Sequence, residues 1–520
     1  MNTALRSIPA SSAWSRLLAL PLCWAALAQG EPAAPATYCN PLPLPDYPIG
    51  RAAREVTNGE ALDDAGGWLR EHKEQFRELA DPTVIWEAGQ WYLYPSVDMA
   101  WVSADNGATW QHHPLNLRDI GYAPTVVKHK GKFLLLASGS ALYRADSPTG
   151  EFKEIGRIAL PPGMPSQTDP MLFTDDDGRL YYYWGCSRTN GIWAVELDAN
   201  QPTKILGQPQ QVVPFDPVNQ PWEAIGEWNQ NPHIGWVEGA WMVKCKGRYY
   251  LTFSAAGTEN RTYAMGCSTS SAPLGPFTPQ KRNPICRNTS GLITGTGHGC
   301  IVAGPGDTLW VFYTIRAGAV NAFERRIGMD RAQLDANGEL FVPAATSVPQ
   351  WASVSAMETN SSSPGWLPLN PGMQTLGSSC APNLPGRFAV DEEIRTWWQP
   401  AADDLQPVLT SKFIGPSEVH AVRIIWRDVG LDAKRSILPG PFRYRVEICG
   451  GGGVWHTLID RESNSEDLLN DYRECSPASG VAARLIITGQ SKGITPAVAE
   501  FTVFGKVIAN STNNQSQESK

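Results

Sequence analysis

The sequence is poor in charged residues and has no excess of positive charge. Asp, Glu, Lys and Arg make up 18% of the 520 residues, and the net charge is −8 with a pI of about 5.6. Nucleic-acid binding and attachment to anionic membranes both need a basic patch, so neither is expected. The hydrophobic content of 42% is that of a folded protein.

Two further absences narrow the class of protein. Beyond the N-terminal region, no apolar run is long enough to span a membrane. No Cys-x-x-Cys or histidine-rich spacing predicts a structural zinc site. The chain has ten cysteines, and Cys449 with Cys475 is a candidate disulfide, although spacing alone does not fix connectivity.

The first 28 residues have the pattern of a secretion signal. Arg6 and Arg16 precede the apolar run LLALPLCWAALA, which ends in Ala26-Leu27-Ala28. Cleavage after Ala28 predicts a secreted or periplasmic protein. The alternatives are a short membrane anchor, for which the run is too short to span comfortably, and a lipoprotein anchor through Cys23.

Five segments in the first two thirds of the chain share one pattern. Each has an apolar strand, a turn with Gly or Asp, and a second strand rich in aromatic or β-branched residues. They open at Asp81, Ala123, Asp169, Glu238 and His298. The pattern predicts an all-β fold with a five-bladed β-propeller over residues 29–345. A β-sandwich with long loops is the alternative.

A propeller would bring the five opening residues together, because its first strands converge on the central axis at one face. Three carboxylates and a histidine would then share one cavity. Converging carboxylates suggest general acid–base catalysis, and glycoside hydrolysis needs one protonated and one ionised carboxyl group. Twenty tryptophans are many for this length, and indole rings are typical of sugar-binding surfaces.

Three stretches resemble the signature regions of glycoside hydrolase family 43. They are ADP at 80–82, TDPMLFTDDDGRLYYYWG from Thr168, and VEGAWMVKCKGRYYLTFSA from Val237. The resemblance implies an inverting, exo-acting hydrolase that removes terminal sugars from the side chains of plant-type polysaccharides. An α-L-arabinofuranosidase is the first expectation, and a β-D-xylosidase, galactosidase or galactofuranosidase is the alternative.

The resemblance also implies roles for the residues that match the family's motifs. Asp81 would be the general base that activates water, and Glu238 the general acid. Asp169 would tune the pKa of Glu238 and orient it. His298 would be structural or would support a calcium ion through water, and no other cofactor is implied.

The predicted substrate contacts are Trp86, Trp236 and Arg316, although any single tryptophan is more often core packing. Other acidic residues are interpreted as solvated. The run Asp175–Asp177 precedes a glycine in a hairpin turn. Glu223 and Glu227 lie in the tryptophan-rich loop QPWEAIGEWNQNPHIGW and are expected to face solvent.

The C-terminal third predicts a second β domain. The Ser- and Pro-rich stretch 346–383 is predicted to be a linker, and strand-like runs over 384–507 predict an antiparallel β-sandwich. DEEIRTWWQP from Asp391 and VHAVRIIWRD from Val419 resemble the discoidin or coagulation-factor type C domain, which would brace the propeller or bind sugar. The polar tail 508–520 is predicted to be disordered.

Two other classes compete with a family 43 enzyme. SADNGATW at Ser103–Trp110 fits the Asp-box of six-bladed sialidases, but only one such box is present. A non-catalytic propeller lectin would need no acid–base pair, and the three carboxylates argue against it. The expected partner is therefore a polysaccharide or oligosaccharide substrate, without nucleic acid and without a membrane span.

Overall fold

The structure is a computed structural model, and it describes residues 37–49, 76–96, 99–117, 120–353 and 361–508. The predicted signal peptide at 1–28 lies outside the described residues, as does the predicted tail from residue 509 onward. Regular structure in the described part consists of β-strands and short 3-10 turns. No helix found there is long and apolar enough to cross a bilayer.

Five four-stranded antiparallel sheets follow the short strand β1 (Thr37–Tyr38) along the chain. The first two contain β2 (Thr83–Glu87), β3 (Gln90–Tyr94), β4 (Met99–Ser103), β5 (Gln111–Pro114), β6 (Thr125–His129), β7 (Lys132–Leu136), β8 (Leu142–Ala145) and β9 (Lys153–Gly156). The next two contain β10 (Met171–Thr174), β11 (Leu180–Trp184), β12 (Ile192–Leu197), β13 (Ile205–Val213), β14 (Glu238–Cys245), β15 (Arg248–Ala255), β16 (Ala264–Ser270) and β17 (Thr278–Pro279). The fifth contains β18 (Gly299–Ala303), β19 (Leu309–Arg316), β20 (Arg325–Leu334) and β21 (Leu340–Phe341), and β22 (Gln350–Trp351) then pairs with β1.

The turns explain why three of these sheets open with a tight hairpin. Ala88-Gly89, Lys130-Gly131 and Lys246-Gly247 each place two successive residues in the left-handed region, with φ between 48° and 79°. Two left-handed residues define the type I′ turn, whose twist matches that of the flanking strands. A residue followed by glycine between two apolar runs is thus the local signal for each hairpin.

The five sheets close into a ring. Their first strands lie side by side in chain order, β2 beside β6, β6 beside β10, β10 beside β14 and β14 beside β18, and β18 returns to β2. The predicted five-bladed β-propeller is confirmed, so neither a sandwich nor the six-bladed sialidase fold applies to this part of the chain. All five opening residues consequently lie at one end of the ring's axis.

The strands after the propeller form a second, seven-stranded sheet, called here the C-terminal sheet. Its strands are β23 (Leu367–Pro368), β24 (Thr375–Gly377), β25 (Val408–Val429), β26 (Arg443–Cys449), β27 (Trp455–Arg461), β28 (Asn470–Gly489) and β29 (Thr495–Val507). The 3-10 turns of the described chain are Pro221–Glu223, Pro305–Asp307, Gly386–Ala389, Ala433–Arg435 and Gly451–Gly453.

Two features of the C-terminal third differ from the sequence-based predictions. The predicted linker supplies strands, because β23 pairs with Phe504 and Gly505 and β24 pairs with residues of β25. The nine cysteines of the described residues are free thiols, so Cys449 and Cys475 are not bonded. Trp398 and Trp426 are buried, whereas Trp397 is only partly buried under the guanidinium of Arg427.

Buried ion pairs join the propeller side of the chain to the C-terminal sheet. Arg77 Nε lies 2.6 Å from Asp428 Oδ2, and its Nη1 lies 2.5 Å from Asp467 Oδ2. Arg427 Nη2 lies 2.9 Å from Glu324 Oε1 in an equally buried pair. Such pairs are costly to leave incomplete, because the remaining charge has no access to water.

Replacing Arg77 with alanine should destabilise the protein strongly. The change leaves two carboxylates without their cation, which typically costs about 3–5 kcal/mol in the free energy of unfolding. Denaturant titration monitored by tryptophan fluorescence measures it. Arg435→Ala is the matched control, since Arg435 is 80% exposed and its pair with Asp432 should be worth almost nothing. Equal stability of the two variants would contradict this assignment.

Candidate active site

Left-handed backbone marks the start of the inner strands. Asp81, Ala123, Asp169 and His298 have φ values of 52°, 45°, 51° and 31°. Non-glycine residues adopt this conformation only occasionally, and it is strained unless the surrounding structure imposes it. Its recurrence at the same place in four blades shows that the blade's geometry imposes it.

The fourth blade departs from this repeat. It has two left-handed residues, Trp236 at φ 46° and Gly239 at φ 61°, and the register of β14 on β15 shifts between Glu238 and Trp241. Glu238 therefore lies between two left-handed positions instead of occupying one, which corrects the expectation of five equivalent opening residues. Glycine is required there, because a Cβ on Gly239 would lie 2.9 Å from the ring of His298. A bulge of this kind re-aims the side chain beside it.

The structure brings four of the five opening residues into one buried cluster. His298 Nδ1 lies 3.4 Å from Asp81 Oδ1 and 3.7 Å from Asp169 Oδ2. The nearest ligand atoms of Asp169, Glu238 and His298 all lie within 4.8 Å of one another. Ala123, the fifth, contributes no functional group. The convergence predicted from the repeat is thus present.

Asp81 is surrounded by hydrogen-bond donors. Ser96 Oγ donates to Oδ2 at 2.6 Å, and Arg325 Nη1 donates to Oδ1 at 3.0 Å. Arg325 also bonds to Glu78 through Nε at 2.8 Å. These contacts stabilise an ionised carboxylate. Sequence reasoning missed Arg325, whose only signal is its place at the start of β20, paired with Arg316 at the end of β19.

Glu238 has two weaker hydrogen-bond partners. Tyr263 donates its hydroxyl to Oε1, and the Cys186 thiol donates to Oε2 at 3.0 Å. Burial raises the pKa of Glu238 above its ordinary value, and Asp81 adds to the rise, whereas His298, Tyr263 and Cys186 oppose it. The carboxyl group is therefore held protonated to higher pH than a free glutamate. Neither Tyr263 nor Cys186 was identified from the sequence.

Asp169 and His298 complete the electrostatics of the cluster. Burial raises the pKa of Asp169, and repulsion from Glu238 and Asp81 raises it further. The positive charges of His298 and Arg325 lower it. Burial alone would lower the pKa of His298, but Asp81, Asp169 and Glu238 together raise it above its ordinary value. Burial and mutual repulsion thus favour the protonated forms of Asp169 and Glu238, whereas the surrounding carboxyl groups favour the protonated form of His298.

The cluster is a poor site for directly bound calcium. Calcium prefers six to eight oxygen ligands, whereas this group offers two carboxylates and one imidazole nitrogen. Both oxygens of Glu238 already accept hydrogen bonds, and the guanidinium of Arg325 adjoins Asp81. A water-mediated calcium supported by His298 stays a prediction.

The predicted substrate contacts divide between the two ends of the blades. Trp86 lies five residues beyond Asp81 along β2, about 16 Å away at the usual rise of a strand, and packs on Trp91 with ring centroids 4.7 Å apart. Its assignment to the substrate stays a prediction. Trp236 lies two residues before Glu238, under the guanidinium of Arg188.

Arg316 lies at the end of β19 on the same side of the propeller as the cluster. It is buried, and its Nη2 donates to Glu227 Oε1 at 2.8 Å. Glu227 also accepts hydrogen bonds from the backbone N–H and Nε of Arg261. Glu227 is therefore bound by two arginines, whereas its place in the loop predicted a side chain that faces solvent.

Two other carboxylates taken as solvated are buried. Glu223 is 1% exposed, accepts the backbone N–H of Asp216 at 2.8 Å, and has its pKa raised to about 7 by burial. Asp175 accepts hydrogen bonds from Lys244 at 2.6 Å and Tyr249 at 2.5 Å. Both hold loops in place, and neither belongs to the cluster.

Residues 89–340 match the family described as Glycosyl hydrolases family 43. A β-D-galactofuranosidase of Aspergillus niger is 25% identical over 300 residues, which are 50% of this chain and 81% of that protein. A β-xylosidase of Xylanibacter ruminicola is 26% identical over 271 residues, covering 39% of this chain and 78% of that protein. An arabinoxylan arabinofuranohydrolase of Bacillus subtilis is 27% identical over 203 residues, covering 34% of this chain and 37% of that protein.

One solved structure, a thermostable family-43 glycoside hydrolase, aligns with 52% of this chain and 95% of its own. The identity is 25% and the TM-score 0.45.

Replacing Tyr263 with phenylalanine should move the alkaline limb of the kcat–pH profile to higher pH. The hydroxyl stabilises ionised Glu238, so its loss raises the pKa of Glu238 further, and the protonated form persists to higher pH. Kinetics across pH on the wild type and the variant measure the shift. Tyr143→Phe, in the second blade, is the control and should leave the profile unchanged. A downward shift in Tyr263→Phe would be incompatible with Glu238 acting as an acid.

Proposed function

Because residues 89–340 belong to glycosyl hydrolases family 43 and the chain is a glycoside hydrolase, we propose that it is an inverting, exo-acting enzyme. It would remove terminal sugars from the side chains of plant-type polysaccharides, with α-L-arabinofuranosides as its first substrates. The observation that carries the proposal is the contrast between two carboxyl groups of one cluster. Asp81 is held by donors that favour its ionised form, and burial favours the protonated form of Glu238.

On this proposal, Asp81 and Glu238 each carry out one proton transfer. Glu238 gives its proton to the leaving oxygen as the glycosidic bond breaks. Asp81 takes a proton from the water that attacks the anomeric carbon from the opposite face. An inverting pair works at about 6.5–9.5 Å, so that the water fits between base and sugar. Proton exchange with solvent afterwards restores both groups.

Asp169 and His298 would support this pair without bonding to the departing sugar. A negative charge on Asp169 close to Glu238 disfavours ionisation of the acid, which is the pKa-tuning role expected for it. His298 would offset the carboxylate charge around Asp81 and Asp169, from which it lies 3.4 Å and 3.7 Å. Arg325 would keep Asp81 ionised and oriented.

The relatives are named for three different sugars: galactofuranose, xylose and arabinofuranose. An α-L-arabinofuranosyl and a β-D-galactofuranosyl ring share one configuration and differ in the exocyclic group, so a site for one is close to a site for the other. We place arabinofuranose first by analogy with side-chain-removing enzymes that carry an accessory β domain. A β-D-xylosidase or a galactosidase is the alternative.

The secretion-signal pattern of residues 1–28 supports a secreted or periplasmic location.

Hydrolysis should invert the anomeric centre. A panel of aryl α-L-arabinofuranosides, β-D-xylosides, β-D-galactosides and β-D-galactofuranosides identifies the sugar, and proton NMR during early turnover identifies the anomer released. An α-L-arabinofuranoside should yield the β-anomer first, because water attacks opposite the leaving group. Retention would contradict the roles of Asp81 and Glu238. Polysaccharide binding without turnover of any substrate would favour a lectin.

Glu238→Gln should reduce kcat/KM about 10²–10⁴-fold for substrates whose leaving oxygen needs protonation, because general acid catalysis contributes about that much. The kcat/KM for a glycosyl fluoride of the same sugar should fall far less, since fluoride leaves with little help from an acid. Glu223→Gln is the control, another buried carboxyl with a raised pKa that lies outside the cluster. An equal loss on both substrate types would argue against the acid role.

A further inference from the structure

One tryptophan near the cluster is open to solvent. Trp228 is 77% exposed, and it is the only tryptophan among the described residues with a largely exposed side chain. The guanidinium of Arg261 lies 5.5 Å from the centre of its ring. A flat indole held by an arginine and otherwise open to solvent is a surface on which a sugar ring can stack.

The loop that carries Trp228 is held in one conformation. Glu227 binds the backbone N–H of Arg261 at 3.1 Å and its Nε at 2.8 Å, and it binds Arg316 Nη2 at 2.8 Å. The Asn229 side chain donates to the carbonyls of Trp222 at 2.9 Å and Ala224 at 2.6 Å. Trp228 is therefore presented ready for contact, and little ordering is needed on binding.

The same network adjoins both catalytic carboxyl groups. Arg261 is two residues before Tyr263, whose hydroxyl donates to Glu238. Arg316 pairs across the sheet with Arg325, which donates to Asp81. Trp228 is thus linked, through Glu227, to the segments that supply Tyr263 and Arg325.

Arg316 is part of this network. The residue is 9% exposed, and its Nη1 is buried without a hydrogen-bond partner among the described residues. Burial lowers the pKa of Arg316, and the carboxylate of Glu227 opposes this.

We propose that Trp228, held by Glu227 and Arg261, is the platform for the first sugar of the leaving group. The inference rests on the proposed hydrolase function and identifies where the part of the substrate beyond the cleaved bond binds. The aromatic face contacts the ring's C–H groups, and the guanidinium supplies hydrogen bonds that a bare apolar surface lacks. Residues outside the carboxylate cluster would then select the polysaccharide.

The test compares two substrates that differ in the leaving group alone. Trp228→Ala should lower kcat/KM about tenfold for an α-L-arabinofuranosyl xylo-oligosaccharide, the loss of one stacking contact and its apolar burial. The kcat/KM for α-L-arabinofuranosyl fluoride should stay within about twofold of the wild-type value, since that substrate has no leaving sugar. If the panel selects another sugar, the corresponding oligosaccharide and fluoride take their place. Trp228→Phe should keep most of the oligosaccharide activity.

Trp455→Ala is the matched control, because Trp455 also packs under an arginine, Arg484, but on the C-terminal sheet. It should affect neither substrate. An equal loss on both substrates in Trp228→Ala, or no loss on either, would overturn the platform.

Calorimetric binding of the oligosaccharide to Glu238→Gln, with and without Trp228→Ala, tests the platform without turnover. Weaker binding in the double variant supports it, and unchanged binding overturns it. If the wild type hydrolyses neither substrate, the proposed function fails, and this binding comparison still decides the platform.

Discussion

The cluster depends on the left-handed backbone at the start of the inner strands. This conformation costs about 1–3 kcal/mol at a non-glycine residue and persists only where the surrounding structure fixes it. Asp81, Asp169 and His298 adopt it at the axis, and so does Ala123, whose side chain has no chemistry. The strained backbone is therefore a property of the blade, and catalytic function depends on which side chain occupies it. The bulge beside Gly239 lets Glu238 join the cluster by a different local geometry.

Burial is the main electrostatic influence on Asp169, Glu238 and His298. Repulsion among three buried carboxyl groups disfavours the ionisation of all of them at once. Their hydrogen-bond donors differ: Asp81 has a serine and a guanidinium, whereas Glu238 has a phenol and a thiol. That asymmetry would separate the proposed base from the proposed acid within one cluster. The low solvent access that disfavours charge is thus what makes two chemically similar groups different.

The repeated strand pattern could be predicted from the sequence, whereas contacts that form only when the blades close into a ring could not. Alternating apolar strands and glycine turns repeat five times, so both the propeller and the convergence of Asp81, Asp169, Glu238 and His298 followed from the pattern. Arg325, Tyr263 and Cys186 belong to segments whose distance from the cluster is set only when all blades close. Glu227 was misjudged because a polar loop composition does not reveal two arginines approaching from other segments.

The carboxylate cluster alone does not explain which sugar is removed. Relatives of this chain are named for galactofuranose, xylose and arabinofuranose. Acid and base act on the anomeric carbon, which all these glycosides have. Discrimination must therefore come from side chains that contact the rest of the substrate. The side chains proposed to do so in this chain are those of Trp228 and of Arg261 beside it.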